Sequence, residues 1–171
     1  MTQYKKGDYV RYAASGVCLI EEIKSMELKP GKSNDFYILK PLQNKNSTLY
    51  VPVNSKPLLA KMRYILTKDE IDEIIASSKG KELSWIEDRK ERSENFRKVL
   101  AEGNVQQLIE LVSCIYLKKV ALKTENKKLS SYDEDSLTKA QESVENEFSF
   151  VLNLTGEEVG KYIRNILGIK D

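Results

Sequence analysis

Histidine is absent from this 171-residue chain, which removes the commonest acid–base group and metal ligand. Cysteine occurs twice. Cys18 and Cys114 are far apart and in no metal or redox spacing, so they read as reduced, buried small hydrophobes. There is no glycine-rich phosphate loop. Lys29-Pro30-Gly31-Lys32-Ser33 has a lone glycine before Lys-Ser, without the upstream glycine of a P-loop. The adjacent carboxylates Glu87/Asp88 and Asp133/Glu134/Asp135 sit where first helical turns are expected, and negative charge there stabilises a helix rather than forming a catalytic dyad. No catalytic residue, metal ligand, cofactor or small-molecule substrate is therefore expected, and the chain does not read as an enzyme. No apolar run approaches the ~20 residues that cross a bilayer. The opening MTQYKKGDYV has no apolar core of a signal peptide. The expectation is a cytoplasmic protein with no membrane partner.

Charge is plentiful but unevenly placed. The net charge of +2 combines residues 1–66, with 11 Lys/Arg against 5 Asp/Glu, and residues 67–171, with 17 against 21. Within the second part, 84–128 is net +3 and 129–171 is net −5. A dedicated nucleic-acid binder would be more one-sided. Any DNA contact should be local, with affinity supplied by a second partner.

Residues 4–53 alternate β-prone runs with turn chemistry. Strands are expected at Tyr9–Tyr12, Val17–Ile23, Phe36–Lys40 and Thr48–Val53, with a polar loop over Lys29–Asn34. Such spacing indicates a small antiparallel sheet or barrel. Pro52 interrupts the last run, which places that strand at an edge or the end of a ladder. Residues 54–66 read as a connector, a short turn of helix followed by an extended piece.

From Thr67 onward the pattern is helical. Capping boxes are written at Thr67-x-x-Glu70, Ser84-x-x-Glu87, Ser131-x-x-Glu134 and Thr155-x-x-Glu158, with a close relative at Asn104-x-x-Gln107. Each precedes apolar residues at helical spacing. Lys79–Leu83 is the short link into the second helix, and Gly103 closes that helix. The fold class is α+β: a β domain over 1–66, then an all-helical domain of about five helices over 67–171.

The stretch Ser84–Gly103 holds the only tryptophan. At about 100° per residue, Trp85, Arg89 and Phe96 share a sector of roughly 40°. Trp85 thus lies on the core side, where a packed indole is the plain reading. An apolar stripe that ends in Trp and Arg also suits a minor groove, where apolar wedges open base steps and Arg enters the narrow slot. It suits an internal cation–π pair equally well. Lys118, Lys119, Lys123, Lys127 and Lys128 follow the third helix. They fit either a helix C-terminus or a phosphate-facing patch.

The ordered set of pieces resembles a family. Gly7-Asp8-Tyr9-Val10, Tyr12, Gly16-Val17, Phe36-Tyr37-Ile38-Leu39, Tyr50-Val51-Pro52-Val53 and Met62-Arg63 are similar to the barrel module shared by the CarD/CdnL transcription regulators and the transcription-repair coupling factor. Trp85, Ala101-Glu102-Gly103-Asn104-Val105 and Leu129-Ser130-Ser131 resemble the helical domain of CarD/CdnL. The resemblance implies an SH3/Tudor-like barrel that docks on the first lobe of the bacterial RNA polymerase β subunit by adding to its sheet. It implies a helical domain that reaches promoter DNA at the upstream edge of the melted bubble. There a tryptophan, Trp85 by position, wedges into the minor groove and stabilises the open complex. Arg89 and Lys90 would be the accompanying DNA contacts, and Met26, Tyr50, Val51 and Pro52 the polymerase-facing residues. Well-studied members carry arginines at the positions of Met26 and Tyr50, so backbone pairing and apolar contact would carry the docking here. The turn that is often Pro-x-His-Gly in the family is Ala13-Ala14-Ser15-Gly16.

Two other readings remain open. The chain could be a polymerase-bound adaptor whose helices recruit a protein without touching DNA, as the acidic 129–171 segment would suit. Alternatively, the basic residues 1–66 could be a stand-alone nucleic-acid-binding barrel. Steep salt dependence would accompany phosphate contacts and separate the first of these from the DNA-contacting reading.

Overall fold

Short apolar and β-branched runs between turns draw the first part of the chain into five strands, and helical spacing draws the second into five helices. The computed structural model describes residues 3–169. The chain divides into two units at Ile65/Leu66.

In the first unit, β1 (Tyr9–Tyr12) leads through a 3-10 turn (Ala13–Ser15) into β2 (Val17–Lys29), β3 (Lys32–Pro41) and β4 (Leu49–Pro52). A single turn of helix, α1 (Lys56–Leu59), precedes β5 (Met62–Tyr64). All neighbours pair antiparallel in the order β4-β3-β2-β1-β5. This five-stranded sheet fits the expected barrel-like module. As Pro52 implied, β4 is an edge strand and ends at that proline. The extended piece expected within 54–66 is β5, the other end of the sheet.

The expected loop Lys29–Asn34 is corrected. β2 and β3 continue to a tight hairpin in which Lys29 pairs with Lys32, leaving only Pro30 and Gly31 to turn. Proline presets its own φ, and Gly31 takes φ 75°, which a side chain would resist. The tip of the hairpin is exposed, and its β3 side, Lys32-Ser33-Asn34-Asp35, holds no apolar residue to announce a strand. The core of this unit gathers Tyr4, Val10, Ile20, Tyr37, Leu39 and Val51. Cys18 is buried there as a free thiol, and burial pushes its pKa up to about 11 despite the nearby charge of Arg11.

The second unit contains α2 (Lys68–Ser77), α3 (Arg89–Glu102), α4 (Val105–Thr124), α5 (Ser131–Leu152) and α6 (Gly156–Leu167). α5 touches each of the other four, and Phe96, Leu108, Leu111, Ile115 and Phe148 are fully buried among them. Of the expected capping boxes, those at Thr67 and Thr155 form completely. Asn104 caps α4 by accepting from the Gln107 amide. Two helix starts differ from expectation. α5 is capped by Ser130 rather than Ser131, because the Ser130 hydroxyl accepts from the Asp133 amide. The second difference, at α3, shapes the candidate site.

Candidate functional site

The helix expected from Ser84 begins at Arg89 instead, and Trp85 lies in the segment before it. Asp88 is its N-cap, accepting from the Glu91 amide at 2.8 Å. The Ser84/Glu87 box is therefore a correction. Its physical cause is Arg92, whose Nη1 donates to the carbonyls of Ile86 (2.8 Å) and Glu87 (3.1 Å). In a helix starting at Ser84 those carbonyls would accept from Lys90 and Glu91. Here they turn toward a guanidinium. The far end of the helix is as expected, with Gly103 left-handed at φ 66° and its amide on the Val99 carbonyl.

Arg92 also forms a fork with Asp133. Its Nε lies 3.0 Å from Oδ1 and its Nη2 3.2 Å from Oδ2. Both residues are buried. The Ser130 hydroxyl adds a 2.6 Å bond to Asp133 Oδ2. Burial pushes the Asp133 carboxyl up. The hydrogen bonds from Arg92 and Ser130, with the charges of Arg92 and Arg89, outweigh it and hold the group below the ordinary aspartate value. A carboxylate whose pKa is lowered by folding contributes stability that is complete above its unfolded pKa and is lost as pH falls through the folded one. Asp133 therefore adds acid sensitivity below about pH 4. In acid titrations of unfolding free energy, Asp133→Asn should start less stable at pH 7 and lose less than the wild type between about pH 4 and pH 2.

Trp85 is half-buried against this assembly. The Arg92 guanidinium stands 4.4 Å from the indole ring and the Lys118 ammonium 5.0 Å from it. Phe96 meets it edge-on at 6.1 Å. The indole Nε1 is enclosed without a hydrogen-bond partner. Of the two alternatives for the Trp–Arg stripe, an internal cation–π contact is present, but with Arg92 rather than Arg89: once Trp85 leaves the helix, Arg92 is the guanidinium that reaches it. Arg89 and Lys90 lie exposed on the first turn of α3. Lys118 also bonds Glu87 Oε1 at 3.2 Å, so Glu87 is an exposed ion-pair partner rather than a cap. Lys119 of α4 pairs with Glu134, and Lys127, just beyond α4, with Glu125. Leu83, Ser84, Trp85, Cys114, Leu117 and Lys118 line a hollow beside the indole. Burial raises the Cys114 thiol pKa as well.

The four residues expected to face polymerase are not equivalent. Tyr50 is 53% exposed on β4, whereas Val51 is 1% exposed and belongs to the core. Pro52 is half-buried at the strand end. Met26 pairs with Asn34, outside the stretch of β3 that β4 covers, and β3 separates it from β4. The Val53 amide donates to the Asp35 carbonyl at 3.0 Å. Since bonded and non-bonded pairs alternate in an antiparallel ladder, Val51 and Leu49 direct their backbone groups at β3. Tyr50 directs its N–H and C=O outward, whereas the Pro52 C=O, also turned from β3, accepts from the Ser55 amide at 3.2 Å. The proline thus occupies a position where β3 needs no donor.

Arg92, Asp133 and Lys118 organise the site, and sequence reading did not single them out for that role. One signal existed. Arg92, Phe96 and Val99 follow core spacing on α3, and an arginine on an apolar face calls for a buried acid.

Among the described residues no group of three or more His, Cys, Asp or Glu could hold a metal ion. None of their helices is long and apolar enough to cross a membrane.

Residues 4–65 match the family described as the CarD-like/TRCF RID domain. The match is consistent with a CarD/CdnL-like protein that shares the RNA polymerase-interacting domain of the transcription-repair coupling factor. It supports an RNA polymerase-interacting transcription factor, and the domain is regulatory, not known as catalytic. No curated protein matches the chain.

Proposed function

We propose that this protein docks on the first lobe of the bacterial RNA polymerase β subunit and stabilises the promoter open complex, with Trp85 acting at the minor groove of the upstream bubble edge. The observation that carries the reading is the bare β4 edge inside the stretch that matches the polymerase-interacting family. Tyr50 offers an outward donor and acceptor there, and an exposed ring beside them. Strand addition supplies main-chain hydrogen bonds, with side chains setting specificity. Pro52 offers no donor, so the added ladder is short and ends at that residue.

At the helical unit, Trp85 stands just ahead of α3 with Arg89 and Lys90 exposed close by in sequence and Lys118 against the ring. Phosphate contacts by a few cations position a protein on a duplex. A docked wedge needs little affinity of its own, because polymerase holds it at high local concentration. Action at promoters places the protein in the bacterial cytoplasm, at the nucleoid. A second reading has its own support. Trp85 packs on Phe96 and Arg92 with Nε1 enclosed, as a structural indole would. On that reading the protein is a polymerase-bound adaptor that does not touch DNA.

Docking is tested by Tyr50→Pro against Tyr50→Ala. Proline removes an N–H that points away from β3, so the sheet survives while the added ladder loses its donor. Binding to an isolated β-lobe fragment should fall at least tenfold for Tyr50→Pro and by less for Tyr50→Ala, with unchanged circular dichroism. Equal binding by the folded proline variant would rule out this edge.

A further inference from the structure

Unpaired N–H and C=O groups along a sheet edge are a template for the addition of another strand. β5 is the edge opposite β4. The Ala13 amide donates to the Lys61 carbonyl at 3.0 Å. Bonded and non-bonded pairs alternate in an antiparallel ladder, so Arg11 and Arg63 form the next bonded pair. Met62 and Tyr64 therefore turn their N–H and C=O away from β1, toward the free side of the sheet.

Both outward carbonyls are already occupied. The Tyr4 hydroxyl donates to the Met62 carbonyl at 3.0 Å, and Arg63 Nη1 donates to the Tyr64 carbonyl at 2.9 Å. Tyr4 is fixed from several sides. Its ring is buried in the core of the β unit and stands edge-on to Tyr37 at 5.7 Å. Its amide donates to the Tyr37 hydroxyl at 3.3 Å. Tyr64 closes over it, with the two rings 4.8 Å apart and the Tyr64 hydroxyl within reach of the Gln3 carbonyl (3.1 Å) and Asp8 Oδ2 (3.3 Å). Asp8 also accepts from the Lys5 amide at 2.8 Å, and the Gly7 amide bonds the Ile20 carbonyl at 2.8 Å. The turn over residues 5–8 is thus tied to β5 on one side and to β2 on the other. Tyr50 on β4 has no comparable cap among the described residues.

We infer that residues 3–8 are a strap that shuts the β5 edge against strand addition and leaves β4 as the edge a partner strand can use. The Tyr4 hydroxyl gives Met62 the hydrogen bond that an incoming strand would give. β5 turns two residues outward and β4 turns Tyr50, so an opened β5 would be the better template of the two. It would then pair with a strand of a second copy. The strap lies on the edge opposite the proposed docking strand, and its test needs no polymerase.

Tyr4→Phe combined with Tyr64→Ala removes the hydroxyl contacts to Met62, Gln3 and Asp8 and keeps a buried ring at position 4. The remaining Arg63 cap is an exposed contact that an added strand displaces. Tyr4→Phe combined with Tyr64→Pro opens the strap equally but deletes the outward N–H of Tyr64, which β1 does not use. Sedimentation equilibrium of the full chain between about 5 and 500 µM reads the result, and circular dichroism and thermal melts verify folding. Wild type should remain at 19.6 kDa. The double variant with Tyr64→Ala should gain mass with concentration and associate at least tenfold more tightly than the one with Tyr64→Pro. Tyr4→Phe alone changes one oxygen and keeps the test open if a double variant unfolds. In it the amides of Tyr4 and Lys5 should exchange with solvent at least tenfold faster than in wild type. A folded Tyr64→Ala double variant that stays monomeric to 500 µM overturns the strap. Equal association by the two double variants, or by wild type, overturns it as well, because the contact would then lie off the β5 edge. Unchanged exchange in Tyr4→Phe does the same, because the bond to Met62 would then hold nothing shut.

Discussion

Arg92→Ala is expected to destabilise the helical unit by about 3–5 kcal/mol, the usual cost of removing one partner from a buried ion pair. Few substitutions in the chain should cost as much, since whole domains have only about 5–15 kcal/mol to lose. Three losses coincide. Asp133, 2% exposed, keeps its charge without the guanidinium that balances it. The carbonyls of Ile86 and Glu87 lose their donor. The indole of Trp85 loses the cation stacked 4.4 Å away. Lysine should not rescue the site, because a point ammonium cannot fork onto a carboxylate and reach two carbonyls at once. Replacing both partners, Arg92→Met with Asp133→Leu, should cost far less than Arg92→Ala, since burying neither charge removes the penalty. Urea unfolding followed by fluorescence reads both stability and environment, because Trp85 is the only tryptophan. Arg92→Ala should shift the midpoint strongly and move native emission to the red. A variant within about 1 kcal/mol of wild type would show that water or another cation replaces Arg92 at Asp133.

Arg92 also marks where sequence reading stopped. Local signals gave the strands at Tyr9, Val17, Phe36 and Thr48, because turn residues precede each and each is a short run rich in β-branched, aromatic or aliphatic residues. They gave the caps at Thr67, Asn104 and Thr155, because a single oxygen satisfies an amide three residues on. The start of α3 was illegible for a related reason. Ser84/Glu87 and Asp88/Glu91 are both good caps, and the choice between them rests with Arg92 reaching Asp133, 41 residues away. The same distant pair decides between Ser130 and Ser131, since Ser130 supports Asp133 both as cap and as hydrogen-bond donor. The hairpin at Pro30-Gly31 escaped because its tip is exposed and its β3 side, Lys32 to Asp35, holds no apolar residue. At the candidate site, the identity of Trp85 was plain from its singularity. Its partners were not, since placing it on a helix aimed it at Arg89. The polar roles along β4 became legible only with the register. That register turns Tyr50 outward and seals Val51 into the core.

The second large effect is expected from Trp85→Ala, and it concerns the lifetime of an open promoter rather than stability. Unstacking a base step costs a few kcal/mol. A side chain that occupies the opened step favours it only by its differential affinity for that state. A difference of about 1.4 kcal/mol changes the equilibrium tenfold. The most direct measurement is therefore the dissociation rate of a promoter open complex formed with bacterial RNA polymerase, challenged with competitor DNA. It should be recorded without the protein, with wild type and with Trp85→Ala. The alanine variant must first be shown to fold and to bind the β lobe as wild type does. Wild type should lengthen the lifetime about tenfold and Trp85→Ala should return it to the polymerase-only value. A folded, polymerase-bound Trp85→Ala that prolongs the complex as wild type does would contradict the wedge and leave Trp85 as packing for Phe96 and Arg92.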